Sequence, residues 1–514
     1  MIYIQGVSRK SCIISSPPAL VILLICPRLS DKQPPRKKST STDKIPANLE
    51  RKVKQFHHRI LDLRRPIAIM KIKALSRSTA DTATPGSAAS KKPRNLDPAL
   101  HPFERAREYQ RALNAIKLER MHAAPFVAQL GRGHVDGVYS MAKDPNSLDH
   151  FASGSGDGVV KVWELTGRDE SWHTTAHENI VKSMEWTRDK KLLTCAADKT
   201  IKLFDPYNTP SESAPISSWI GKGAFTSLSH HRSRNAFAVA SDDIFIYDLD
   251  RQSSAPEVLR WPTSTDTITN VAFNQVETSV LASCSSDRSI VIYDLRTGTP
   301  VHRVLLNFAT NRISWSPMEA FNLATASEDH NVYLFDMRRF DRASNVLKDH
   351  VAAVMDVEWS PTGEELVTAG WDRSVRLWTR EGGHSRDVYH TKRMQRVTAA
   401  RWTPDNNYIL SGSDDGNIRL WRARASDRSG IKSAKQQASL DYNAALVERY
   451  GHMPEVRRIK RHRHVPQVIK KAGEIKKTEL ASIKRREENE RKHSKRKFDK
   501  RQSEREKMIL ARET

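Results

Sequence analysis

The sequence predicts an all-β fold, a seven-bladed β-propeller carrying basic, helical N- and C-terminal extensions. The first observation behind this is a repeat. An Asp, five residues and an aromatic recur as DGVVKVW (Asp157–Trp163), DKTIKLF (Asp198–Phe204), DRSIVIY (Asp287–Tyr293), DHNVYLF (Asp329–Phe335), DRSVRLW (Asp372–Trp378) and DGNIRLW (Asp415–Trp421). A seventh copy, DDIFIY (Asp242–Tyr247), lacks one turn residue, and successive aromatics lie 41, 43, 46, 42, 43 and 43 residues apart. The second is local chemistry. Each alternating run follows a tight turn of Asp with Gly or a polar residue, which is how a β-hairpin is written, so the period is that of a four-stranded blade. The third is charge. The net +25 is carried by residues 1–125 (25 basic, 9 acidic) and 441–514 (23 basic, 12 acidic), leaving a near-neutral middle.

Residues 1–69 form the first segment. Cys12, Cys26, Cys195 and Cys284 include no CxxC pair and are too few for a disulfide framework, which implies a reducing compartment. The apolar run ALVILLIC (Ala19–Cys26) is too short to cross a bilayer, which needs about 20 residues. Met70 opens a fresh basic start, MKIKALSRS, so 1–69 reads as a non-native or disordered extension. In the basic arm 70–125, a helix is expected over about 102–121: Pro102 stands near the first turn and Pro125 beyond the end. Phe103, Tyr109, Leu113, Ile116 and Leu118 would make apolar contacts there, leaving Arg105, Arg107, Arg111 and Lys117 free for phosphate. The propeller spans 126–421. A ring of sheets needs a seam, and FVAQL (Phe126–Leu130) is expected to close it as the outer strand of the blade whose inner strands end at Trp421.

Ser, His and Asp recur through the repeats: His134, Ser153, Asp157 and Trp163; His177, Thr194 and Asp198; His350, Thr368, Asp372 and Trp378. An acyl-transfer triad would be a single constellation with a nucleophile on a strained turn, whereas here the set repeats and no GxSxG is present. The repetition favours a structural network in which His relays between Asp and a hydroxyl and the indole N–H donates. Copies ending in Phe204, Tyr247, Tyr293 or Phe335 lack that donor. There is no GxxxxGK[ST], HExxH or dinucleotide fingerprint. His462 and His464 have no second ligand pair at zinc spacing, so no cofactor, metal, catalytic residue or small-molecule substrate is expected.

After a linker (422–438), residues 439–514 read as a basic helical domain. Asp441 is expected to cap a helix that Gly451 ends, and Pro454 opens the next segment. RRIKRHRHVPQVIKK (Arg457–Lys471) holds seven Lys and Arg and two His among fifteen residues, without an acid. Arg457, Arg458, Lys460, Arg461, Arg463, Lys470 and Lys471 would set cations along a phosphate backbone, while Val465, Pro466, Val468 and Ile469 dock the strip on protein. No Phe, Tyr or Trp lies between Arg457 and Leu480, which favours backbone or shape recognition over base stacking. Beyond it, KRR (Lys484–Arg486) and KHSKRK (Lys492–Lys497) suit nuclear import.

The repeats resemble those of WD-repeat propellers over Phe126–Trp421. The phrases LHPFERAREY (Leu100–Tyr109) and LDYNAALVERYGHMPEVRRIKRHRHVPQVI (Leu440–Ile469) resemble the suppressor-of-fibrillarin family of nucleolar WD-repeat proteins. That resemblance covers Met70 onward. It implies a nucleolar, non-catalytic scaffold of the small-subunit processome, acting in precursor ribosomal RNA processing, with partners in precursor ribosomal RNA, guide snoRNA and processome proteins and no membrane. The alternative is a substrate receptor of a cullin-RING ubiquitin ligase. Its hook is an aromatic-Asp-x-Arg after a blade strand, present as YDLR and FDMR, where Arg296 and Arg338 would contact a ligase adaptor.

Overall fold

The computed structural model describes residues 103–513 apart from 252–254, 263–265, 428–429 and 495–501. The expectations for 1–69, for 70–102 and for residues 495–497 of KHSKRK fall outside the described residues. Seven antiparallel sheets form seven blades, with strands spanning 138–175, 181–220, 227–259, 268–306, 310–347, 354–389 and 397–422. The last of these is completed by Phe126–Gln129. No described helix is long and apolar enough to cross a membrane.

The recurring Asp explains the recurring hairpin. Its carboxylate accepts a hydrogen bond from the N–H two residues on: Val159 at 3.1 Å, Thr200 at 3.0, Ser289 at 2.8, Asn331 at 3.0, Ser374 at 3.1 and Asn417 at 3.3. This Asx turn reverses the chain between a blade's second and third strands. The residue between the two is left-handed in every case: Gly158, Lys199, Arg288, His330, Arg373 and Gly416. In two blades only glycine fits. A Cβ on Gly158 would sit 1.9 Å from the His177 carbonyl oxygen, and one on Gly416 would sit 2.4 Å from that of His134.

Between blades the core is apolar, the inner strands of one blade packing on the next. Trp163, Trp378, Trp402 and Trp421 are fully buried. The seam falls in the seventh blade. Phe126 pairs with Trp421 and Gln129 with Arg419; the Leu130 N–H reaches the Ile418 oxygen at 3.0 Å, and Leu130 is fully buried.

A second closure lies in the central channel. Asp356 of the sixth blade is fully buried between Arg401 of the seventh (2.6 Å) and Arg312 of the fifth (3.2 Å). The Arg401 Nε also donates to the Met141 oxygen of the first blade at 3.1 Å, and Lys143 of that blade pairs with Glu358 of the sixth at 2.6 Å. Burial pushes the nearby Glu185 carboxyl up to about 7, against the pull of the His230 N–H, Arg312 and Arg401.

The described residues hold four helices outside the blades: α1 (Glu104–Met121), α2 (Ala434–Arg449), α3 (Pro454–Arg461) and α4 (Gln467–His493). Two expectations are corrected here. Helix α2 begins at Ala434, inside the expected linker, because Ser433 and Gln436 cap each other reciprocally; Asp441 lies mid-helix and accepts from the Gln437 side chain. On α1, Ala112 and Ile116 are buried, but Leu118 is half exposed and Phe103, just before the helix, is largely exposed, so they supply less of the expected packing. One more described strand follows the helices. Ile509–Glu513 adds a fifth strand outside the fourth blade, anchored by buried Met508 and by the Arg303–Glu513 (3.2 Å) and Lys507–Glu487 (2.6 Å) ion pairs.

Candidate functional site

The residues that resemble a hydrolase triad form structural networks, and only the sixth blade completes one. The Asp372 carboxyl is buried, which alone would raise its pKa. His350, Arg376 and Ser374 instead hold it well below the usual carboxylate range. An ionised carboxylate only accepts, so His350 donates through Nδ1 (3.0 Å) and is left to accept at Nε2 from Thr368 (2.6 Å). The Thr368 oxygen in turn accepts from the Trp378 indole at 2.9 Å. In the second blade His177 joins Asp198 (2.9 Å) and Thr194 (2.8 Å), with Phe204 in place of the indole.

The first blade departs from expectation. His134 meets Ser153 at 2.6 Å and Trp163 donates to Ser153 at 2.7 Å, but Asp157 does not join them, and the buried His134 Nδ1 has no partner. The residue two beyond the Asp explains this. Thr200 and Ser374 each donate a hydroxyl to their Asp at 2.7 Å and orient it, whereas Val159 has none to give. Burial pushes the His134 imidazole down to about 4. Asp372→Ala should therefore cost about 1–3 kcal/mol through unpaired buried groups. Asp157→Ala and Asp242→Ala should cost clearly less, Asp242 being exposed. Thermal melts ranking either level with Asp372→Ala would contradict the assignment.

The cations predicted to meet phosphate come together from both ends of the chain. Helix α1 packs against α2 and α3. Glu108 of α1 accepts from the Tyr450 hydroxyl (2.7 Å) and pairs with Arg449 (3.1 Å), and the Tyr109 and Tyr450 rings meet edge to face at 6.1 Å. Val456, fully buried, roots α3. On this helical layer Arg105, Arg107, Arg111, Arg457, Arg458, Lys460 and Arg461 are all exposed. Arg458 pairs with Glu455 at 2.9 Å, and Arg111 lies 3.4 Å from the Tyr442 hydroxyl.

The strip is not one linear run, however. Residues 462–466 form an extended link, Lys470 and Lys471 sit exposed on α4, and Arg463 turns inward. The Arg463 guanidinium donates to the Ser385 oxygen of the sixth blade at 3.3 Å and to the His462 oxygen at 3.1 Å, and its Nε is buried without a partner. Arg463 therefore docks the strip instead of facing solvent. Ile469 is buried and Val465 and Pro466 are half-buried, but Val468 is 79% exposed and docks nothing. Arg120, which carried no expectation, pairs with Asp387 at 3.0 Å and donates to the Lys460 oxygen at 3.0 Å. Helix α4 continues onto one rim of the ring, where Lys476 donates to the His350 oxygen at 2.8 Å.

Arg296 and Arg338 lie on the opposite rim, on turns that leave the third strands of the fourth and fifth blades. Both are exposed and hold the preceding Asp. Arg296 pairs with Asp294 at 3.3 Å, Arg338 with Asp336 at 2.9 Å, and the Arg338 guanidinium stacks on Phe321 at 3.8 Å. No group of three or more His, Cys, Asp or Glu among the described residues is placed to hold a metal.

A ring of WD blades with a basic helical layer docked at its sixth and seventh blades defines a WD-repeat propeller with a dedicated C-terminal extension. Comparison with known proteins agrees. WD domain, G-beta repeat profiles match residues 126–164, 170–205, 257–294, 342–379 and 384–422, and a Sof1-like domain profile matches 423–509. The WD40 propeller domain of Doa1 superposes with a TM-score of 0.50 at 19% identity, covering 58% of this chain and 96% of that one, a likeness of fold. The chain is 49% identical over 448 residues to Protein SOF1 of Saccharomyces cerevisiae, covering 82% of this chain and 91% of that protein. It is 49% identical over 426 residues to sof1 of Schizosaccharomyces pombe (83% and 96%) and 44% identical over 433 residues to DDB1- and CUL4-associated factor 13 of Xenopus laevis (83% and 96%). The chain belongs to the Sof1 family of WD-repeat proteins.

Proposed function

We propose that this protein is a non-catalytic scaffold of the small-subunit processome, working in the nucleolus in precursor ribosomal RNA processing. Its helical layer would hold precursor ribosomal RNA or guide snoRNA by phosphate contacts while the propeller binds protein neighbours. The observation that carries the reading is the convergence of two sequence-distant basic segments into one layer, with Arg105, Arg107, Arg111, Arg457, Arg458, Lys460 and Arg461 exposed on it. Such a layer neutralises phosphates and releases counterions. Replacing Arg457, Arg458 and Arg461 by Gln should weaken binding to unrelated RNA sequences alike. The slope of log affinity against log salt should fall by about 0.7–0.9 for each phosphate that is no longer neutralised. Unchanged affinity and slope would refute the assignment.

A second reading, a substrate receptor of a cullin-RING ligase, is favoured by Arg296 and Arg338 standing exposed on neighbouring blades, and by a relative named DDB1- and CUL4-associated factor 13. The rim they occupy is opposite the one where Lys476 of α4 meets the His350 oxygen. Loss of a co-purifying ligase adaptor in an Arg296→Ala, Arg338→Ala double variant would support it, and unchanged recovery would count against it.

A further inference from the structure

Where the strip docks on the propeller it leaves a cavity of about 670 Å³. One wall is the outer strand of the sixth blade and its exit, Asp387–His390. The other is the end of α3 and the link beyond it, with Arg458, Ile459, His462 and His464, and Ala123, Pro125 and Ala425 form the floor. The volume falls within the range of built ligand sites. Two of the three arginines that line the cavity are already engaged, which leaves exposed Arg458 to meet a phosphate. Arg120 is held by Asp387 and by the Lys460 oxygen, and both terminal nitrogens of Arg463 are held by carbonyls of Lys460, His462 and Ser385. A phosphate set against Arg120 and Arg463 alone would lose its hydration for little return. What the cavity offers is apolar wall from Val388, Ile459, Pro125, Ala123 and Ala425, and two imidazole rings, His390 and His464, with centroids 5.6 Å apart and planes inclined by 34°. Exposed Arg458, Lys460 and Arg461 stand on the same α3–link segment.

An apolar wall, two imidazole rings and exposed cations on the adjoining segment match a planar heteroaromatic ring attached to a polyanion. We propose that the cavity takes a single unpaired nucleobase of an RNA strand whose phosphates the exposed cations hold. The inference rests on the RNA reading above and adds to it a base-dependent component that phosphate contacts alone lack. His390 and His464 supply the stacking surface absent from the sequence of the strip, because one of them comes from the propeller.

The test compares a short oligouridylate with a ribose-phosphate chain of the same length that lacks every base. The full chain should bind oligouridylate roughly tenfold or more tightly, with the same salt slope for both. Ala123→Trp, which fills the cavity from a position beyond the end of α1, should erase that preference while leaving affinity for the base-free chain and the thermal melt unchanged. Equal affinity of the unsubstituted protein for both chains, with the salt slope intact, overturns the base pocket and leaves the phosphate reading standing. Failure to bind either chain overturns both. An Ala123→Trp protein that keeps the base preference but loses a protein neighbour also overturns the proposal, making the cavity a protein-docking site.

Discussion

Replacing Asp356 by Ala is expected to destabilise the propeller by about 3–5 kcal/mol, the usual cost of removing one partner from a buried ion pair. Its carboxylate is fully buried, pairs with Arg401 and Arg312, and accepts from the backbone N–H groups of Val357 (2.9 Å) and Ala400 (3.0 Å). The Ala variant would leave Arg401, only 8% exposed, without the carboxylate it pairs with directly. It would also uncouple the fifth, sixth and seventh blades where they meet in the channel. Asp356→Asn keeps an acceptor and should cost less. Chemical denaturation of the two variants checks this, and a loss under about 1 kcal/mol for Asp356→Ala, typical of an exposed pair, would contradict it.

Deleting Phe126–Leu130 should have the larger effect still, aggregation or gross destabilisation. The segment covers the strand ending at Trp421: the Phe126 and Trp421 rings meet edge to face at 5.6 Å, and Arg422 donates to the Pro125 oxygen at 2.9 Å. Without it the seventh blade presents an unpaired edge, and Trp421 loses part of its cover. A soluble deletion variant with an unaltered melt would mean that the channel ion pairs alone close the ring.

What could be read from the sequence follows the range of the interactions. The Asp-x turns, the blade count and the closing strand were legible because each is written within a few residues: an Asx turn, an alternating run, an apolar segment before the first repeat. The networks were half legible. The sequence shows His134 and Asp157 but not that Val159 fails to orient the carboxylate as Ser374 does. The Asp356–Arg401–Arg312 cluster joins residues more than forty positions apart on different blades, and nothing local announces it. Ser433 and Asp441 are both good caps, and the Gln436 reciprocal bond decides between them. The strip illustrates the same limit. Its charge marks it as a polyanion surface, but charge alone cannot show that Arg463 turns inward onto Ser385 while its neighbours stay in solvent. The terminal strand Ile509–Glu513 has three exposed central residues and only follows from the fourth blade's open edge.

The most direct test of the account is charge reversal on the exposed face of the layer, with Arg457, Arg458 and Arg461 replaced together by Glu. The readouts are precursor ribosomal RNA and guide snoRNA recovered with the protein from cells, alongside its thermal melt. Because these side chains lie outside the blades and Val456 and Arg463 still root the strip, the melt should be unchanged while RNA recovery is lost. Full RNA recovery together with loss of a protein neighbour would contradict the account and make the layer a docking surface for an acidic protein.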